Sequence, residues 1–239
     1  MTNDEKTRDV LGLAPYGEAV RVVAQSVVDG AGAFLGRICL PAAEEFGLLL
    51  RDRVANWRRA NAVLIAQKAE RLLGNVPNSY AHPRLVYQIL ENGSLADDDT
   101  LQEMWAGLLV SSCSANGRDE SNLTFIGILS GLTSSEVRLL NYACDSATKL
   151  LTPAGWLGAE RQICTASALI EASQISDLHR LDRELDHLRS LGLLDAHTGF
   201  KMHAQDKIAD VTPSTLGLQM FARCRGCRGS PEAFFGLGI

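Results

Sequence analysis

The chain is short of several things that usually announce a function. Its 239 residues carry a formal net charge of only −5, which gives no whole-molecule attraction to nucleic acid or acidic lipid. It has no long apolar run free of charge. Arg21, Asp29, Arg37, Glu44 and Glu45 interrupt everything between residues 19 and 50, whereas a spanning helix needs about 20 nearly uncharged residues. Met1 leads into Asp4, Glu5, Lys6, Arg8 and Asp9, so no secretory signal is read there. There is no phosphate-cradling glycine loop, no nucleophile elbow and no histidine pair four apart on a helix. The five histidines, His82, His179, His187, His197 and His203, have no Cys or acidic partner at a metal-ligand spacing. Cys224-Arg225-Gly226-Cys227 is a lone CxxC; structural zinc needs four ligands, and a redox pair normally opens a helix after a strand. These absences argue against an enzyme, and no metal or other cofactor is expected.

What is present is a well-stocked core. The chain is 46% hydrophobic, enough for one to three small domains. The six cysteines, Cys39, Cys113, Cys144, Cys164, Cys224 and Cys227, are scattered, several among apolar residues. That suits reduced, buried thiols in a cytoplasmic protein. Charge is uneven. Residues 80–133 hold two basic and seven acidic side chains, net −5, while 1–79 are net +1 and 134–239 net −1. The middle is therefore the part least suited to phosphate.

Four regions are expected: a leader over 1–15, a helical domain over 16–133, a winged-helix domain over 134–225, and a loose tail over 226–239. Residues 16–35 read as a packed helix, with a peripheral contact to the inner membrane through 16–40 as the alternative. Pro41 opens a long helix. Along it Phe46, Leu50, Val54, Trp57, Asn61 and Leu64 recur at spacings of three and four, which predicts an inward stripe. The heptad-like seam of Leu50, Trp57 and Leu64 also allows two chains to pair. Arg51, Arg58 and Arg59 fall on the other side, as a solvated face or a partner-binding patch. Gly74 and Pro77 end the helix. His82-Pro83 starts a second, carrying Leu85, Val86, Ile89 and Leu90 inward. Asp97-Asp98-Asp99 precede a third, with Leu101, Met104, Trp105, Leu108 and Leu109. These acids are read as capping groups; the competing reading is a metal-dependent nuclease.

The last third has the order of a winged helix. Ser135–Ala147 forms a first helix, capped by Ser134 or Ser135. A loop with Pro153, Gly155 and Gly158 follows. Thr165–Ala172 is a short second helix. Ser176 caps a third, whose Leu178, Leu181, Leu185, Leu188 and Leu191 face inward before Gly192. A turn at His197-Thr198-Gly199 and the run Phe200-Lys201-Met202 make the wing, and Thr212-Pro213 starts the last helix. Outward on the third helix are His179, Arg180, Asp182, Arg183, Glu184, Asp186, His187 and Arg189. With Asp177 that is four acids against three arginines, a poor match to a polyanion. Arg180 and Glu184 are set to pair along the helix. DNA is therefore disfavoured as a partner. If the alternative of a DNA-binding transcriptional regulator holds, Arg180, Arg183, Arg189 and Lys201 carry the contacts.

Several stretches resemble the Abi-alpha family, a bacterial group linked to abortive phage infection. They are Pro41-Ala-Ala-Glu-Glu-Phe-Gly47 running on to Arg53 and Trp57, Leu90-Glu-Asn-Gly-Ser-Leu95, Leu101-Gln-Glu-Met-Trp-Ala106, and Thr212-Pro213. Together they cover roughly residues 40–225. The resemblance implies host defence, in which an infected cell stops growing or dies before phage matures. It carries over no catalytic residue. The expected function is non-enzymatic: a defence effector or sensor that binds a phage or host protein.

Overall fold

The computed structural model describes residues 30, 32–34, 36–37, 56–77, 79–197, 199–200 and 207–238. They are mainly helical, with small antiparallel sheets, and group into two compact units, Met1–Ser121 and Asn122–Ile239. Residues 122–133 thus cluster with the second unit.

In the first unit the core lies among three helices: α1 (Asn56–Leu73), α2 (Pro83–Gly93) and α3 (Asp99–Ser111). A two-residue pair, β1 (Tyr80–Ala81) with β2 (Cys113–Ser114), brackets α2 and α3. The starts of α2 and α3 follow from sequence. His82 caps α2, its Nδ1 accepting from the Arg84 N–H, and Pro83 takes the first turn. Asp98 caps α3, its carboxylate accepting from the Leu101 N–H at 3.1 Å. Leu85, Val86, Ile89 and Leu90 are all buried, as are Met104, Trp105, Leu108 and Leu109.

Helix α1 departs from expectation. Its extension back to Pro41 lies outside the described residues, as do Phe46, Leu50 and Val54 of the expected stripe. Of the rest, Trp57 is 48% and Leu64 42% exposed; only Asn61 faces inward. The buried side is instead Ala62, Val63, Ile65, Ala66, Ala69 and Leu73. The reason is steric. α1 packs chiefly on α3, and alanines permit a close helix approach that bulky side chains would prevent. Gly74, at φ +59°, ends α1 in the left-handed conformation.

The second unit begins with the short α4 (Leu123–Leu129), then α5 (Ser134–Ser146), which packs on three other helices of the unit. The region with Pro153, Gly155 and Gly158, read as a loop, is a hairpin of β3 (Lys149–Leu151) and β4 (Leu157–Ala159), so β-structure is not confined to the residues expected as a wing. Next come β5 (Ile163–Thr165), α6 (Ala166–Ser173), α7 (Leu178–Ser190), β6 (Gly199–Phe200), β7 (Ile208–Asp210) and α8 (Thr215–Cys224). The three strands form an antiparallel sheet in the order β5-β7-β6. Leu181, Leu185 and Leu188 of α7 are fully buried.

Three expected caps are displaced. Thr133, not Ser134 or Ser135, caps α5 in a full capping box with Glu136. Asp177, not Ser176, caps α7. Ser214, not Thr212, caps α8. Thr212 is drawn elsewhere: its hydroxyl donates to Asp210 Oδ1 at 2.6 Å and accepts from the Gln162 N–H at 2.9 Å. Residues 231–234 of the expected loose tail form a helical turn, α9 (Pro231–Phe234). Phe234 and Phe235 pack on Phe221 of α8, with ring centroids 6.5 and 6.3 Å from it.

Candidate functional site

The family-like stretches Leu90–Leu95 and Leu101–Ala106 of the first unit meet at one junction. Gly93 closes α2 against α1 and α3. A Cβ there would lie 2.8 Å from Ile65 Cδ1 and 3.1 Å from Trp105 Cγ, so the approach suits glycine. Just beyond it, Ser94 receives the Arg58 Nε–H at 2.9 Å, and Asn61 Nδ2 donates to the Ser94 carbonyl at 3.1 Å. Gln102, buried, donates to the Ala96 carbonyl at 3.0 Å and to Asn61 Oδ1 at 3.4 Å. Leu90–Leu95 and Leu101–Ala106 are therefore parts of a single hydrogen-bonded knot. Its side chains bind one another, which is the work of scaffold.

The arginines of α1 separate. Arg58 is half-buried and pairs with Glu91 at 2.8 Å. Arg59 is 7% exposed, not on a solvated face, and burial lowers its guanidinium below its ordinary value. Arg51 lies outside the described residues. Toward its start α1 presents Trp57, Ala60 and Leu64, exposed at spacings of three and four, and its last turn exposes Glu70, Arg71 and Leu72. Tyr87 (48%) and Leu95 (57%) are exposed on or just after α2. Asp99 pairs with Lys68, and Asp98 is the cap. Among the described residues no group of three or more His, Cys, Asp or Glu is placed to hold a metal ion.

In the second unit, the polar side of α7 turns toward the start of α5. Arg180 Nε donates to Glu184 Oε1 at 2.9 Å, and Arg180 Nη2 reaches Ser135 Oγ at 3.3 Å. His187 Nδ1 lies 2.5 Å from Glu136 Oε1. Arg189 pairs with Asp186 at 2.7 Å. Arg180 and Arg189 are thus engaged within the unit; Arg183 is exposed, and Lys201 lies outside the described residues. Glu136 and Glu184 are nearly fully buried. Sequence reasoning found the Arg180–Glu184 pair but placed Glu184 outward and missed Glu136 altogether. A helix-face count cannot see that α5 covers this side.

Cys224 ends α8 and is buried, and burial pushes its thiol, like that of Cys144, well above the ordinary range. Neither is a ready thiolate. Both are free, as is the half-exposed Cys227.

Among the described residues no helix is long and apolar enough to cross a membrane. A family model described as abortive infection alpha matches residues 59–213, well over half the chain. Neither the curated proteins nor the solved structures give a match.

Proposed function

Because the chain belongs to the abortive infection alpha family, we propose that it is a non-enzymatic effector or sensor of abortive infection that works by binding a phage or host protein. The observation that carries this is the exposed apolar side of α1. Trp57 and Leu64 stand seven apart with Ala60 between them, each more than two-fifths exposed. Large apolar side chains left on a rigid helix are characteristic of partner surfaces, and Trp is enriched among residues that dominate binding energy. The knot of Arg58, Asn61, Ser94 and Gln102 stands immediately beside this stripe and holds α1 against α2. That rigidity lowers the ordering cost of association.

The second unit we read as a winged helix used for packing or protein contact. In its favour is the chain order α5, β5, α6, α7, β6, β7, with the β3–β4 hairpin inserted between α5 and β5 and with β7 central in the three-stranded sheet. Arg180 and Arg189 answer carboxylates of their own helix, so this surface suits a duplex poorly. A filter-binding titration at low salt checks that point: steeply salt-sensitive binding to duplex DNA would favour the regulator reading instead. The proposed location is the cytoplasm. The inner-membrane contact proposed for 16–40 falls mostly outside the described residues.

The test is plaque counting with a Trp57→Ser, Leu64→Ser double variant. Protection against phage should fall at least tenfold, while thermal unfolding stays close to wild type, since exposed positions change stability by about 0.5 kcal/mol or less. Full protection by a folded double variant would overturn the reading. Arg58→Glu is a poorer probe, because it also breaks the pair with Glu91.

A further inference from the structure

The sequence has two Asn-Gly steps, Asn92-Gly93 and Asn116-Gly117. Their chemistry is the same. Glycine leaves its own nitrogen unhindered, so that nitrogen can close on the preceding asparagine side chain as a five-membered imide. The fold treats the two in opposite ways. Asn92-Gly93 ends α2. There the helical backbone holds the side-chain carbon away from the next nitrogen. Asn92 Nδ2 also donates to the Gln88 carbonyl at 2.8 Å, and Gly93 is buried against Ile65 and Trp105. Ring closure would require the end of α2 to unwind from the knot at Ser94.

Asn116 is exposed in the turn that follows β2. Three hydrogen bonds arrange it. The Ser114 hydroxyl donates to Asn116 Oδ1 at 3.3 Å, and the Arg118 N–H donates to the same oxygen at 3.1 Å. Both draw electron density from the side-chain carbon, and both are aimed at the oxygen that gains charge when that carbon is attacked. The Gly117 N–H, whose proton must leave, donates to Ser114 Oγ at 3.1 Å. A hydroxyl accepts and donates at once, so Ser114 serves the nucleophile and the electrophile together. Gly117 sits at φ +62°, a conformation that glycine takes without strain. Among the described residues no hydrogen bond holds Asn116 Nδ2, the leaving group.

We propose that Asn116 is a self-modifying site. The Gly117 nitrogen attacks Asn116 Cγ, its proton passes by way of Ser114 Oγ to the departing Nδ2, and ammonia leaves behind a succinimide. Water then opens the imide at one of its two carbonyls. One opening leaves an aspartyl residue at position 116. The other leaves an isoaspartyl residue, whose main chain runs through the former side chain. In sum, protein and water give modified protein and ammonia; nothing is oxidised or reduced, and water is the only other reactant. The product carries one more negative charge, and the isoaspartyl form has one more main-chain carbon. Gly117 lies so close to β1 that a Cβ on it would be 3.0 Å from Tyr80 Cβ, so the longer main chain displaces the turn from Tyr80. This chemistry does not depend on the α1 surface.

The experiment holds the full-length protein in mildly alkaline buffer made with oxygen-18 water, then digests it with trypsin in ordinary water. Both Asn-Gly steps fall in one tryptic peptide, Leu85–Arg118, so each is a control for the other, and fragmentation shows where NH2 has been exchanged for OH. In the native protein Asn116 should convert at least tenfold faster than Asn92 and carry oxygen-18. Labelling by an isoaspartyl methyltransferase should report the isoaspartyl product. Ser114→Ala should slow conversion of Asn116 at least threefold, whereas Ser114→Thr, which keeps the hydroxyl, should not. In urea-unfolded protein the two asparagines should convert at similar rates, and the effect of Ser114→Ala should vanish. Equal native rates at Asn92 and Asn116, slower conversion of Asn116 in native than in unfolded protein, or a folded Ser114→Ala that converts at the wild-type rate would each overturn the proposal. The first two comparisons use wild-type protein alone, so they decide the matter even if Ser114→Ala does not fold.

Discussion

In the first unit the polar side chains Asn61, Ser94 and Gln102 are gathered into a buried knot, while Trp57, Leu64 and Leu95 are left on the surface. In the second unit Leu181, Leu185 and Leu188 are wholly buried, and the polar groups of α5 and α7 line a cleft. The contrast lies in where each unit keeps its polar groups: the first gathers them at the junction of its helices, and the second sets them along the seam between α5 and α7. Both units leave large apolar side chains on the surface, and Trp156 of the second, at 68%, is more exposed than Trp57.

Two substitutions strike the units at their tightest points. Trp105 is 1% exposed and packs against Gly93. Trp105→Ala should cost about 4 kcal/mol, read by urea unfolding. Faster hydrogen exchange should appear over 56–111 first. Equal acceleration over 178–224 would dissolve the division into two units. In the second unit the counterpart is Gly217. A Cβ there would sit 2.1 Å from the Leu193 carbonyl oxygen, a backbone atom that cannot rotate away. The same Leu193 oxygen accepts from the Ser214 N–H at 3.0 Å. Gly217→Ala should therefore cost about 3 kcal/mol, more than Gly93→Ala, whose clash falls on the flexible end of Ile65. A Gly217→Ala variant unfolding at the wild-type urea midpoint would show that α8 can shift freely.

These contrasts also explain what could be read in advance. Helices α2 and α3 were legible because local signals agree there: a proline or aspartate at the start, then apolar residues at helical spacing. The inward side of α1 was not, because Trp57 and Leu64 outweigh Ala62, Ala66 and Ala69 in any hydrophobic count, whereas close packing favours the alanines. Caps were legible to within one or two residues. At Thr212 a tertiary partner, Asp210, takes the hydroxyl that sequence assigns to the helix. The β3–β4 hairpin has strands of three residues, too short for an alternating pattern to register. Glu184 and Glu136 illustrate the general limit. An acidic side chain on a helix reads as surface until the neighbouring element is known. The family-like stretches were legible as motifs; that they bond to one another was not.

The capping box gives a smaller test on the second unit. Thr133→Ala removes the hydroxyl that accepts from the Glu136 N–H at 3.2 Å and donates to Glu136 Oε2 at 3.0 Å. The expected loss is about 1 kcal/mol, seen as a lower melting temperature. The more telling readout is the cleft: with Glu136 less firmly held, the His187 ring should reorient, shifting its nitrogen-15 resonances. A Thr133→Ala protein with unchanged His187 signals would mean that α7 alone sets that contact, and that the two helices are less tightly joined than the seam implies.

The smallest effect is expected at Asp210, which joins the sheet to the start of α8. Burial opposes its ionisation, but the Thr212 hydroxyl, Arg161 and the Thr212 N–H bond the charged form, and together they hold its carboxyl below the ordinary value. The unfolded chain returns it to about 3.9. The native state therefore binds its proton less readily than the unfolded state does. Its contribution to stability is full above that ordinary value and disappears as pH falls through the lower native one. Arg161 is 65% exposed, so water and salt screen its share, and the hydrogen bonds within the turn carry the rest. Asp210→Asn should thus lower the melting temperature modestly at pH 7 and flatten the decline below about pH 4. Parallel acid limbs for wild type and Asp210→Asn would place the acid sensitivity elsewhere.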